Sequence, residues 1–532
     1  MHHSGIHRRG WSWRVASAST AVAIVCAWGI GGRLEAAGPD STGNKITTGM
    51  PDRTAETLRI TVDEAILIAL ENNRELIVER LNPAIRQTEE DIEAAVFDPV
   101  LRAQIDAGRE KGERLARSGS QTETFTADSG EAAIALEQYF PTGTTVSLEA
   151  DLEITDSSLY ADRFYDTRLG MTVSQALLRG FGSAVNRAQL MQARLDTRMS
   201  VFDLRGTVAS LVATVEQTYW NYALARRQIE IVEASLSVAR QQLAETGELI
   251  TVGRLAKAEL PAVQAEVAAQ EQALIEARAN EAVMRLKFLR LLNPPGPGLW
   301  DREIELIHAP TLPAIDPDAV DRHVAVALRL RPLLNAARLA VQKGDLQLVE
   351  TRNGLLPLLD VFVTLGKSGY AQSFGDTVDH FSRDRYDAAA GLRFEFPPLN
   401  REARALHRQA QLSREQAEKA LSNLIQLVDL DVRTAYIEVD RTRQQIAASS
   451  ATRRFDEEKL RIETEKLRVG KSTSFLVAQA QRDLLASRIA EVRALINTIN
   501  ARVDLYRLDG SLLTRRGIAA PGSEPVEPPG RG

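Results

Sequence analysis

At 532 residues the chain is long enough to bury a large core, and a soluble protein of this length ordinarily divides into several domains. Only 5% of it is aromatic while 26% is charged, a balance that favours long helices over compact mixed domains. A formal charge of −6 gives no electrostatic case for nucleic acid, and a single cysteine excludes a disulfide framework.

The N-terminus carries Arg8, Arg9 and Arg14, then an apolar stretch from Val15 to Ile30, then Ala36 and Ala37. That is the layout of a secretory signal over residues 1–37, with cleavage around Ala36 to Gly38. The apolar stretch is short for the ~20 residues of a membrane span. Arg8-Arg9 is flanked by a poor match to twin-arginine export, so the general route is favoured. Cys26 lies inside the apolar stretch behind Val25, where lipid attachment would require a small residue. The exported chain is therefore expected to hold no thiol. Removing residues 1–37 leaves 61 basic residues (65 less 4) against 70 acidic (71 less 1), a net charge of −9.

A polar leader (38–56) precedes LRITVDEAILIALENNRELI, which starts a helix predicted to run to about Val96 before FDPVL breaks it. Strand patterns follow. Val146, Leu148, Ala150, Leu152 and Ile154 alternate with polar residues, as do Leu169, Met171 and Val173. Runs of ~9–11 strictly alternating residues suit a membrane β-barrel, with one face to lipid and one to a polar lumen; a soluble sheet packed on a helix shows the same period. From about Ser183 to Ile250 the period becomes helical, and Val215, Tyr219, Tyr222, Ile229, Val232, Leu236, Ala239, Leu243 and Ile250 mark a seam at steps of three, four or seven. Gly253 then interrupts in LITVGRLAKAEL, and helix formers resume from Leu260 to Leu292. A mid-helix glycine costs ~1 kcal/mol relative to alanine, so the sharper reading is a tight reversal between two antiparallel helices.

The same plan then returns. RVGKSTSFL places Gly470 at an offset of 217 from Gly253, and at that offset Tyr219 meets Tyr436, Val215 meets Val432 and Tyr222 meets Val439. Near the start of each half the offset is 258, where Ala69 meets Ala327, Leu76 meets Leu334 and Pro99 meets Pro357. The chain is an internal duplication: repeat 1 over 57–293, a proline-rich linker over 294–317, repeat 2 over 318–513, and a tail over 514–532 read as disordered. Alternation over Val361, Val363 and Leu365, and over Ala388, Ala390, Leu392, Phe394 and Phe396, supplies two strands in repeat 2. Repeat 1 has four, because the extra stretch between the offsets reads as one added hairpin turning at Pro141-Thr142-Gly143. The runs 183–250 and 401–468 approach 100 Å as helices at ~1.5 Å per residue, so they must pack on one another.

In order and spacing, LRITVDEAILIALENNREL, SQALLRGFGSAVNRAQLMQAR, VEQTYWNYALARRQIEIVEASL, VGRLAKAELPAVQAEVAAQ and VGKSTSFLVAQAQRDLLASR resemble the TolC-like outer membrane efflux family, from about Leu58 to Leu513. The resemblance implies an α+β membrane protein: a homotrimer whose long antiparallel helices form a trimeric α-helical barrel across the periplasm and whose strands pool into a shared transmembrane β-barrel in the outer membrane lipid. It implies a non-enzymatic exit duct of a tripartite efflux pump or type I secretion system. The implied partners are a periplasmic adaptor (membrane fusion) protein and an inner-membrane transporter of RND, ABC or MFS type. Val252, Gly253, Arg254 and Leu255, with Val469, Gly470, Lys471 and Ser472, take the place of the periplasmic tips where the adaptor docks. The family's constriction is held by polar links between tip helices and by acidic residues. Here Glu259 stands at the acidic place in the first copy, while Leu467, Leu476 and Gln479 replace it in the second. Glu259 is therefore expected to pair with Lys471 or Arg468 across the tip. The family barrel takes four strands per chain; six implies a larger barrel or a hairpin outside the wall.

Other signals carry less. RGFGS (179–183) lacks a third glycine at phosphate-loop spacing and reads as a strand-to-helix turn. His308, His323, His380 and His407 are isolated, so neither metal nor other cofactor is expected, and no catalytic residue stands out. Val232, Leu236 and Ala239 are replaced in repeat 2 by Ser449, Arg453 and Asp456, which suits a helix lining a hydrated lumen or a wider solvated face. The rival reading is a periplasmic coiled-coil adaptor or structural scaffold, which must account for six alternating segments. Cargo is not legible.

Overall fold

The computed structural model describes residues 57–115, 119, 121–311, 318–382 and 385–527; the expected signal and polar leader lie outside them. Repeat 1 opens not as a helix but as a short strand, β1 (Leu58–Ile60), paired in parallel with β6 (Ile304–Leu306) from the linker. The helix starts only after Thr61, because a capping box decides the boundary. The Thr61 hydroxyl accepts from the Glu64 amide (3.2 Å), and the Glu64 carboxylate accepts from the Thr61 amide (2.8 Å). The single helix predicted to Val96 is three: α1 (Val62–Asn72), α2 (Arg74–Glu79) and α3 (Leu81–Ala94). Asn73 causes the first break. Its side chain accepts from the Leu76 amide and donates to the Leu291 carbonyl at 3.0 Å, capping α2 and binding it to a neighbouring helix.

Strands β2 (Val100–Leu115), β3 (Thr122–Phe140), β4 (Thr144–Ser157) and β5 (Phe164–Ala176) follow. A one-turn α4 (Ser183–Asn186) leads into α5 (Ala188–Thr251), which reverses into α6 (Leu260–Leu292). Repeat 2 supplies α7 (Val320–Leu330) and α8 (Pro332–Gly354), separated because Pro332 has no amide to continue the ladder. It continues with β7 (Leu358–Ala371), α9 (Phe374–Asp379), β8 (Tyr386–Glu395), α10 (Arg401–Arg468), α11 (Ser474–Leu508) and the short α12 (Leu512–Arg515). At ~1.5 Å per residue α5 and α10 are each about 100 Å long. Among the described residues no helix is long and apolar enough to cross a membrane.

The two repeats bury equivalent positions. Ala69 and Ala327 are inaccessible, as are Leu76 and Leu334. The main core lies where α1, α5, α6, α11 and the β1–β6 pair meet, around Tyr219, Phe288, Leu289 and Leu292. The Tyr219 ring meets Trp220 and Phe288 edge-on, at centroid separations of 4.9 and 6.0 Å. Repeat 2 has a smaller cluster of Val324, Ala327, Val428, Val432, Val439 and Leu505; the bulky Tyr222 of the first core has become Val439.

The tail departs from the expected disorder. Ile518 and Ala520 pack on the main core, and Val526 is buried against Phe202 and Leu339. Arg205 donates to the carbonyl of Ala520 (2.9 Å), Arg338 to that of Val526 (3.0 Å), and the Val526 amide donates to Asn335 (2.9 Å). Proline-rich composition suggested a free chain, but backbone groups of the tail satisfy two arginines that α5 and α8 bury.

Candidate functional site

All six long strands form one antiparallel sheet in the order β2-β3-β4-β5-β7-β8. The added hairpin β3–β4 lies inside it, between β2 and β5. Register then decides what each face carries. One row runs Leu101, Leu136, Leu148, Met171, Leu365, Ala388; two residues along, another runs Ala103, Ile134, Ala150, Leu169, Lys367, Tyr386. The row between them, on the opposite face, runs Arg102, Ala135, Glu149, Gly170, Gly366, Asp387. One side of the sheet is therefore mainly apolar, with Lys367 the exception in these rows, and the other mainly polar. The apolar side is uncovered over most of its area: Ile105 is 84% exposed, and Leu101 and Leu392 are each 69%.

The apolar side has a definite height. On β4 it extends from Val146 to Ile154, about 27 Å along the strand at ~3.4 Å per residue, or about 21 Å of height at a ~40° tilt, against the ~25 Å lipid-facing band of an outer-membrane barrel. Beyond it the same face turns charged. Arg109 grips Asp128 with two bonds (2.5 and 2.8 Å), and Arg163 meets Asp156 at 2.9 Å. On the polar face a level of carboxylates crosses four strands, Asp106, Glu131, Glu153 and Asp166, each directly opposite the next.

The far end of the helices is built around two glycines. Gly253 (φ 73°) and Gly470 (φ 71°) occupy the left-handed region. In the first tip the amide of Gly253 reaches the Ile250 carbonyl and that of Arg254 the Leu249 carbonyl. In the second, Gly470 reaches Leu467 and Lys471 reaches Lys466. Both are the double-bonded helix stop that a left-handed residue permits. Val252 and Val469, at equivalent positions, are 68% and 67% exposed. Arg254 and Lys471 are exposed, while Leu255 and Ser472 are half-buried.

Among the described residues Glu259 does not pair with Lys471 or Arg468. Arg468 bonds Glu465 one turn away (3.1 Å). The Glu259 carboxylate instead accepts from the backbone amide of Ser474 at 2.8 Å, in the first turn of α11. A carboxylate gains there from an orphan amide and from the positive end of the helix dipole, whereas an exposed lysine or arginine would have to be immobilised. About two helical turns further along, Glu266 is 1% exposed and accepts from Arg482 of α11 (2.7 Å) and from Gln270 (2.7 Å). The Ser474 and Arg482 contacts tie the first hairpin to the second, while Gln270 holds Glu266 from within α6. Sequence reasoning missed Glu266 and Arg482, and only their 216-residue separation, close to the repeat offset, hinted at them.

Of the polar seam residues of α10, Ser449 bonds the Gln445 carbonyl of its own helix and Arg453 forms ion pairs. Arg453 meets Glu491 (2.6 Å) and Glu457 (2.8 Å), and the Arg488 bond holds the Glu457 carboxyl below its usual range. Beside them a cleft of about 400 Å³ opens between α5, α10 and α11. Two further buried pairs escaped the sequence: His323 with Asp509 at 2.7 Å, and Glu216 of α5 with Arg516 of the tail. Burial pushes the Glu216 carboxyl up, against the pull of Arg516.

Residues 324–511, most of repeat 2, match the family described as outer membrane efflux protein. Solved structures share the fold. The outer-membrane channel OprN is 17% identical with a TM-score of 0.64, covering 85% of this chain and 90% of that one. The Campylobacter jejuni CmeC outer membrane channel is 15% identical with a TM-score of 0.64, over 85% and 86%. The Vibrio cholerae outer membrane protein VceC is 15% identical with a TM-score of 0.63, over 84% and 96%. No curated protein is similar enough to count as a relative.

Proposed function

We infer that the chain is a TolC-like outer membrane efflux protein, and from that premise that it is a non-enzymatic exit duct standing in the outer membrane with its helical tunnel in the periplasm. One observation carries this reading: a sheet with one mainly apolar face of near-bilayer height and one mainly polar face, set on paired helical rods about 100 Å long. A periplasmic scaffold would leave that apolar face in water.

The finer reading is a homotrimer that receives substrate from an inner-membrane transporter through a periplasmic adaptor. The exposed Val252 and Val469, flanked by Arg254 and Lys471, supply paired apolar contacts with a charged rim for the adaptor. The tip gate is assigned to Glu259 on the α11 amide and to Glu266 with Arg482, because both tie one hairpin to the other. Glu266→Gln removes the buried charge that holds Arg482. It should raise the resting conductance of the purified protein in planar bilayers severalfold, and an unchanged conductance would remove this pair from the gate.

The primary test is membrane fractionation followed by electrophoresis of boiled and unboiled samples. A heat-sensitive band at three times the monomer mass in the outer-membrane fraction is expected. A monomer in the soluble periplasm would overturn the reading.

A further inference from the structure

We propose that three copies of this chain close a single eighteen-stranded wall, six strands from each, with β8 of one copy paired to β2 of the next. The proposal rests on the exit-duct reading and specifies how copies of the chain meet in the membrane.

The added hairpin belongs to the wall. β3 pairs with β2 from Leu115↔Thr122 to Val100↔Glu137, and β4 pairs with β5 from Thr144↔Gln175 to Thr155↔Phe164. Its apolar residues Ile134, Leu136, Leu148 and Leu152 share the face of Leu169 and Met171. A hairpin lifted out of the wall would carry that face into water and give up both of the long ladders it makes with β2 and β5. Its inner turn is also fastened. The Asn186 side chain donates to the Pro141 carbonyl (3.0 Å), and Gly143, at φ 87°, sits so close that a Cβ would lie 2.2 Å from the Gly180 carbonyl oxygen.

The remaining free edges belong to β2 and β8. Six antiparallel strands are an even number, so β8 of one copy runs opposite to β2 of the next and the seam is antiparallel like every other. Both edge strands alternate in the same sense, with Ala103 and Ile105 on the face that carries Ala388 and Leu392. The width fits too. Four rods per copy at ~9–10 Å occupy about 38 Å of arc. Six strands ~4.8 Å apart and tilted ~40° also occupy about 38 Å, whereas four would occupy about 25 Å.

Ala103 and Leu169 separate the possibilities, because both lie in one hydrogen-bonding row. In the six-strand wall they stand three strand spacings apart, about 14 Å; with the hairpin outside, β2 would meet β5 directly and the two would be neighbours. In a Cys26→Ser background, Ala103→Cys is combined with Leu169→Cys, or with cysteine at Tyr386, Ala388, Ala390 or Leu392 in turn, and outer membranes are oxidised. The expected result is no intramolecular 103–169 disulfide and an intermolecular disulfide from position 103 to at least one of the four β8 positions. A 103–169 disulfide, or no intermolecular product across the β8 series, overturns the eighteen-stranded wall. The unoxidised samples are also run unboiled, so loss of the outer-membrane trimer would mark failure of the exit-duct reading instead.

Discussion

Glu216 is a carboxylate 2% exposed on a helix, and it is held there by one arginine from the far end of the chain. Because burial raises its folded-state pKa, the folded chain binds a proton more readily than the unfolded one, and stability contributed through this group falls as pH rises through that raised value. Arg516→Ala removes the opposing cation and leaves the charge uncompensated. At pH 7 the variant should lose about 3 kcal/mol, the low end for breaking a buried pair, since Arg516 itself is partly exposed. The loss should shrink as the pH drops and Glu216 protonates. Thermal melts of both proteins in detergent at pH 5 and pH 7 check this; an equal gap at the two values would mean that Glu216 is not the responsible group. Glu259 teaches a related lesson. Its acidic character was plain, but its partner is a backbone amide, which no residue letter encodes.

At the scale of elements, what could be read in advance followed from period. Strict alternation from Val146 to Ile154 marks a strand because its two faces meet different media, and Gly253 and Gly470 mark reversals because other residues resist a positive φ. What escaped was set by distant partners. The helix from Leu58 was expected to be continuous, yet Ile60 is recruited by a linker strand and Asn73 by Leu291. Thr61-x-x-Glu64 and Asn73 are local cap signals, but the distant partners, Ile304–Leu306 and Leu291, leave none. The carboxylate row Asp106, Glu131, Glu153, Asp166 is another such case, since it exists only once register is fixed. Like charges directly opposite in a sheet oppose its formation. Glu153→Gln relieves two of these contacts and should stabilise the sheet by ~0.5–1 kcal/mol, read as a higher dissociation temperature of the unboiled oligomer. A lower temperature would mean that the row is held by counter-charges.

For the whole molecule, the two repeats share helices and core, and the tail joins them. Cutting the chain after Thr514 removes Arg516, Ile518, Ala520 and Val526 together, leaving Arg205, Arg338 and Glu216 buried without those partners. Such a truncation should fail to give the heat-sensitive band, while one after Glu527 should still give it; equal assembly of both would show that the tail is dispensable. The contacts concerned span 315, 188 and 300 residues. A chain made from its N-terminus therefore presents α5 long before the residues that complete it have emerged. Arg205 and Glu216 gain these partners only once residues 516–526 have been made, so a polypeptide interrupted before them is expected to stay open along α5. Residues 516–526 thus close last, and the order of synthesis becomes the order in which α5 gains its partners.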